Sequence, residues 1–201
     1  MLTDERVKKL NRVASHRLHD VIVLENIHDP HNAAAALRNC DAFGIQEVHV
    51  IFETEKMFNP EKLGKLTSAS ANKWLNVKTW TSSKECLSSL KKEGFYLAAT
   101  AIDKAAQSFD TFALPNQKTA FVFGNEGFGI SETAKKMADM LIYLPMWGFV
   151  DSLNLSVTVG IVAHTVATLR QKTGMCRYSP QESKKLAQYW IAEDEKRRKR
   201  V

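Results

Sequence analysis

Apolar runs alternating with segments of helical length predict an α/β protein with a mostly parallel sheet flanked by helices. Two observations carry this. The run 21–24 is apolar throughout, as in a strand buried on both faces, and further strand-like stretches recur at 48–51, 95–100, 119–123 and 140–144. Helix start and stop signals stand between them: Ser82 with Glu85 as a capping box, Ser131 as a cap, and Gly44 and Gly94 as C-terminal stops.

Residues 3–17 read as a helix with Val7, Leu10, Val13 and Ala14 on one face. The run 21–24 is the first strand. His28 to Asn32 reads as a loop, and an alanine-rich helix follows over 33–43. After the strand at 48–51, residues 53–73 are polar and mixed, a loop with one helix. A strand over 77–80 leads into a helix ending near Lys92. The strands at 95–100 and 119–123 follow. The glycine-rich turn 124–129 then opens a helix to Ala138. Pro145 stops the strand at 140–144, because proline cannot donate to a ladder. The apolar segment 154–171 is interrupted by Asn154, Ser156, Thr158 and His164, so it reads as a buried helix rather than a membrane span. Ser179, Pro180 and Glu182 open a final helix that runs into a basic tail.

A chain of 201 residues suits one domain with small appendages. The net charge of +6 is concentrated at the ends, in Arg6, Lys8, Lys9, Arg12 and Arg17 and in Lys196, Arg197, Arg198, Lys199 and Arg200. Basic ends predict an anionic polymer partner, nucleic acid before membrane; solvated ends are an equal alternative on charge alone. Cys40, Cys86 and Cys176 form no Cys-x-x-Cys pair, which argues against a zinc ribbon, and their odd number fits a reducing cytosol. The first residues have no apolar leader segment. The His-x-x-His pairs at 16/19 and 28/31 lack completing ligands, so no metal is expected.

The turn 124–129 matches the outer glycines of a phosphate-binding loop, but Ile130 stands where lysine is required. A dinucleotide fingerprint is excluded too, since no glycine lies between Leu24 and Gly44. Taken singly, the polar residues have ordinary alternatives. Asn32 suits a helix cap, Arg38 a surface arginine, and Ser152 and Asn154 caps of the helix after them. Gly124 to Gly129 suits a tight strand-to-helix turn.

Three stretches in order change that weighting. They are Asn32-x5-Arg38-x4-Phe43-Gly44, then Phe123-Gly124-x-Glu126-x2-Gly129, then Pro145-Met146-x-Gly148-x3-Ser152-Leu153-Asn154-x-Ser156. Together they resemble the three signature motifs of the SPOU-type (SPOUT superfamily) RNA ribose 2′-O-methyltransferases, over about residues 20–170. Leu24-Glu-Asn-Ile-His-Asp-Pro-His-Asn32, Asn72-Lys-Trp74 and the helical extensions make the chain similar to the TrmH branch, which methylates guanosine 18 in the D-loop of tRNA. Trp147 departs from the pattern, where a smaller residue is expected.

The resemblance implies an α/β sheet with a deep C-terminal trefoil knot, a rare topology that no periodicity reveals. It implies short extensions at 1–19 and 173–201 around a domain at 20–172, a cytoplasmic homodimer with its active site at the interface, and S-adenosyl-L-methionine as cofactor. Thr100, Phe123, Gly124, Gly129, Leu144, Met146, Gly148, Ser152 and Leu153 are then the cofactor residues. Arg38 lies at the reacting hydroxyl, with Asn32, Glu126, Ser152 and Asn154 placing it and the substrate. A guanidinium is a poor base at neutral pH, so either Arg38 or an RNA phosphate that it orients takes the proton. Arg12, Arg17, Arg38, Lys196, Arg197, Arg198, Lys199 and Arg200 are the expected tRNA contacts. Alternatives are the same chemistry on another tRNA position or on ribosomal RNA, and a non-catalytic RNA-binding protein of the same fold.

Overall fold

A computed structural model describes residues 2–59 and 71–198. The expected loop and helix over 53–73 therefore falls partly outside the described residues, as do Lys199 and Arg200. The described strands are β1 Leu18–Glu25, β2 Ile45–Ile51, β3 Asn76–Trp80, β4 Tyr96–Thr100, β5 Gln107–Ser108, β6 Thr119–Phe123 and β7 Met140–Tyr143. They form one sheet in the order β3-β2-β1-β6-β4-β7-β5, with every pairing parallel. The two-residue strand β5 was not expected, because two residues carry no periodic signal. Pairing of Gln107 with Ile142 and of Ser108 with Tyr143 creates it.

Strand alternation divides the core into two layers. On one face Ile22, Leu24, Val48, Val50, Phe121 and Phe123 pack against helices α2 (Pro30–Ala42) and α5 (Leu155–Thr173). On the other, Val21, Val23, Leu97, Ala99 and Val122 pack against α3 (Ser83–Lys92) and α4 (Glu132–Met137). Burial on both faces is why the strands read as largely apolar runs. Gly44, at φ +82°, permits a close approach to β1, since a Cβ there would lie 2.6 Å from the His16 carbonyl oxygen.

Helix α2 begins earlier than the sequence predicts. Asp29 caps it by accepting from the His31 N–H at 2.8 Å, and Pro30 fills the first helical position, where no N–H is required. Asn32 is thus inside the first turn, and its side chain is released for other bonds. Helix α5 is capped by Asn154, which accepts from Ser156 N at 2.8 Å, and it ends at Gly174 with φ +74°. Its far end is tied to the sheet by Arg170, whose guanidinium donates to both Asp20 oxygens at 2.9 Å and to the carbonyls of Pro115 and Gln117.

The terminal helices α1 (Asp4–Ala14) and α6 (Pro180–Arg198) pack on each other through Leu10, Ala14, Ala187 and Trp190. Ser179 and Glu182 form the predicted capping box of α6, at 3.2 and 2.8 Å. Among the described residues no helix is long and apolar enough to cross a membrane.

Candidate active site

The carboxyl ends of β1, β6, β4 and β7 meet on one edge of the sheet, where ligands bind in open α/β folds. The loops leaving them enclose a cleft of about 770 Å³. Its lining includes Thr100, Phe123, Gly124, Gly129, Leu144, Ser152 and Leu153, together with Asn32, Glu126 and Asn154. Met146 and Gly148, on the same loop, are outside that lining.

The glycine loop is held in a closed shape. Asn125 and Gly129 exchange two main-chain hydrogen bonds of 2.9 Å, and Asn125 Oδ1 accepts from Gly127 N and Phe128 N. A Cβ on Gly124 would lie 2.1 Å from the Gly129 carbonyl carbon, so only glycine fits. Buried Glu25, at the end of β1, accepts from Ser131 N and Oγ and fixes the loop's exit.

Three motif residues from distant parts of the chain join at the cleft mouth. Asn32 Nδ2 donates to Glu126 Oε1 at 2.8 Å, and Asn154 Nδ2 donates to Asn32 Oδ1 at 2.9 Å. The His28 main-chain N–H donates to Glu126 Oε2 at 3.1 Å. Asn154 Oδ1 accepts from Ser156, so a single residue caps α5 and continues the chain of bonds. Each amide is oriented by what it binds, and the row leaves an ordered acceptor, Glu126, on an exposed edge.

Arg38 is not in this cleft. It is exposed and lines a separate groove between α2 and α5 with Asn39, Ser156, Gly160, Ile161 and His164. Six residues after Asn32 it points about 240° around the helix axis, away from the cleft. Ala35 and Gly160 are the small residues of its lining, and Asn39 spans it by donating to the Ser156 carbonyl at 2.6 Å.

The expected RNA contacts divide. Arg12 is exposed. Arg17 is corrected: it is fully buried, paired with Asp41 and stacked 5.1 Å from the Trp190 ring, so it is structural and unavailable to RNA. Lys196 pairs with Glu193, Arg198 lies 4.0 Å from Asp194, and the Arg197 guanidinium sits over Trp74 at 5.7 Å.

Sequence reasoning missed His28, Glu55 and Asn125. In the sequence His28 stands only as one of a His-x-x-His pair and as part of the 24–32 segment, and nothing marks Glu55 or Asn125 as site residues. Only spatial adjacency reveals them, because the loops after β1, β2 and β6 converge here. Asn26, at φ 52°, accepts from Glu53 N and Thr54 N and takes a bond from Asn125 on its carbonyl.

A parallel α/β sheet with a closed glycine loop and a polar row at its carboxyl edge defines the ligand site of an open α/β fold. Comparison with known proteins is specific. The model of the SpoU rRNA Methylase family matches residues 20–164. A Thermus thermophilus tRNA (guanosine(18)-2′-O)-methyltransferase is 34% identical over 94% of this chain and 97% of its own length. The Aquifex aeolicus protein of the same name is 30% identical over 100% of this chain and 96% of its own. The crystal structure of the A. aeolicus TrmH/SpoU tRNA modifying enzyme superposes with a TM-score of 0.79 at 28% identity, covering 95% of this chain and 97% of that one. The chain belongs to the SpoU rRNA Methylase family.

Proposed function

We propose that this protein transfers a methyl group from S-adenosyl-L-methionine to the ribose 2′-hydroxyl of guanosine 18 in tRNA. The observation that carries the reading is the Asn154–Asn32–Glu126 hydrogen-bonded row across the cleft mouth. The names and coverage of the Thermus and Aquifex relatives support the guanosine 18 target.

The lining suits the cofactor. Ile102 and Phe128 expose 79% and 91% of their surface at the cleft, apolar faces of the kind that an adenine covers. Glu126 and Asp151 set negative charge beside it, as a cationic sulfonium needs. Thr100, Gly124, Leu144 and Leu153 are the residues that would hold the nucleoside. When bound, the cofactor supplies an activated methyl group on a good leaving sulfur. The protein then has two tasks, to align the hydroxyl and to accept or pass on one proton. In this reading Asn32, Glu126, Ser152 and Asn154 serve the first.

Arg38 supports the second task only if another chain delivers it. It faces away from its own cleft, beside Val157 and Ile161, which are 47% and 40% exposed on α5. In this reading a homodimer forms along α2 and α5, and Arg38 of the partner subunit completes the site. The trefoil knot and the cytoplasmic location belong to the same proposal; Cys40, Cys86 and Cys176 are free thiols. Residues 1–19 and 173–201 act as one tRNA-gripping appendage on the domain at 20–172, since α1 and α6 pack together.

Incubation with labelled S-adenosyl-L-methionine and unmodified total RNA, followed by mapping of the labelled nucleotide, tests the reading. The expected product is 2′-O-methylguanosine at position 18 of tRNA. Label at another tRNA position or in ribosomal RNA overturns the substrate, and no label in any RNA overturns the enzyme.

A further inference from the structure

We propose that Glu55 is a positioning residue for Glu126, clamping together the two loops that orient its carboxylate. The inference rests on the methyltransferase reading and extends it to a residue outside the cleft. Glu126 is held at one oxygen by Asn32 and at the other by the main-chain N–H of His28. His28 is itself fixed by Glu55, whose Oε2 lies 3.0 Å from the imidazole Nδ1. A carboxylate can only accept, so Nδ1 carries the proton in this contact. The second Glu55 oxygen accepts from Asn125 Nδ2 at 3.3 Å. Asn125 directly precedes Glu126 and gathers the N–H groups of Gly127 and Phe128. One carboxylate therefore grips both the residue that donates to Glu126 and the residue that carries it.

The contact is electrostatically directed. His28 is exposed, and Glu55, Glu126 and Asp29 face its ring, all acidic. Its pKa is raised above 6.5, first by the hydrogen bond to Glu55, then by that group's charge, with smaller contributions from Glu126 and Asp29. Glu55 is the more enclosed partner, with 24% of its side chain exposed against 75% for His28.

Glu55→Ala and Glu55→Gln separate geometry from charge. A glutamine can donate to neutral His28 through its amide nitrogen and accept from Asn125 through its oxygen, but it cannot hold both once His28 is protonated. Single-turnover methyl transfer to tRNA, cofactor and tRNA affinities, thermal midpoints and the NMR titration of the His28 ring are measured on the full chain. Glu55→Ala is expected to slow transfer about 10-fold at all pH values, less than the ~100-fold of a 1 Å misplacement. Affinities and thermal midpoint stay at wild-type values. Glu55→Gln is expected to match wild type at high pH and fall toward the alanine variant as His28 protonates. The His28 titration moves down toward 6.5 in both variants. A wild-type rate in Glu55→Ala, an equal deficit of Glu55→Gln at every pH, or an unmoved His28 titration overturns the clamp. If the wild-type protein transfers no methyl group, the methyltransferase reading falls instead, and the His28 titration alone still decides whether Glu55 grips the ring.

Discussion

At the amino end of the sheet Asp20 and Arg170 are 0% and 2% exposed, and the carboxylate accepts from the Arg170 guanidinium on both oxygens and from Thr119 N on one. At the carboxyl end Glu126 bears the same charge on an exposed loop, held by one side-chain amide and one main-chain N–H. Both are carboxylates with good partners. They differ in water access, and that assigns their roles. A buried pair contributes little net stability as a pair, yet loss of one member strands a charge in a low-dielectric interior. An exposed carboxylate keeps its hydration, so its ordering serves a ligand more than the fold. The arginines divide the same way: Arg170 and Arg17 are locked inside, while Arg38 is exposed in a groove.

The two ends of the sheet differ most at Asp20. Asp20→Ala is expected to cost about 3–5 kcal/mol of unfolding free energy, because Arg170 is left unpaired. Urea unfolding measures this, and a loss near zero would show that water or Pro115 and Gln117 alone can satisfy the guanidinium. The exposed end should respond oppositely. Arg38→Ala and Glu126→Ala are each expected to lower the single-turnover rate about 100-fold, as loss of alignment does. Their unfolding free energies in urea should match wild type within about 0.5 kcal/mol, as for surface sites. A stability loss on the Asp20 scale would erase the distinction between the two ends.

An intermediate case lies at Glu47. Burial pushes its carboxyl up, but hydrogen bonds from His49 and Lys78 outweigh burial and hold it down at about 2, below the ordinary 4.5. The sign follows from linkage: the folded state binds its proton less readily, so this stabilisation is complete above pH 4.5 and is lost as pH falls toward 2. The stability advantage of wild type over Glu47→Gln should shrink across that window, and a difference constant with pH would exclude the mechanism. The smallest effect is expected at the C-terminal helix. Lys196→Ala with Arg198→Ala should weaken tRNA binding a few-fold and reduce the salt slope by less than about 2, since both cations already have carboxylate neighbours. Complete loss of tRNA binding would mean that those ion pairs open on contact with RNA.

Much of the fold was legible because its signals are local. Strands buried on both faces must be apolar at consecutive positions, so β1, β2, β4, β6 and β7 stood out. Gly44 and Gly94 marked turns for a steric reason that operates within a few residues. The start of α2 was misjudged because Asp29-Pro30 reads equally as a loop or as a cap with a first-turn proline. Of the site, Asn32, Glu126 and Asn154 were reached through motif resemblance, and their hydrogen-bonded contact across 94 and 122 residues of chain needed the folded structure. Arg17 failed for the opposite reason. Its sequence neighbourhood is basic and helical, and nothing local foretells Asp41 and Trp190 closing over it.

By itself the sequence determined the layered α/β class, the order of the longer strands and helices, and a glycine-rich turn after β6, since these follow from backbone sterics and hydrophobic periodicity. Tertiary structure alone decided which polar residues are inside and which face the cleft. A hydrogen bond or ion pair depends on atoms brought within about 3 Å, and in this chain those atoms come from segments far apart. That is why Arg38 and Asn32, on one helix, line different cavities, and why Glu55, unmarked in the sequence, reaches both loops that hold Glu126.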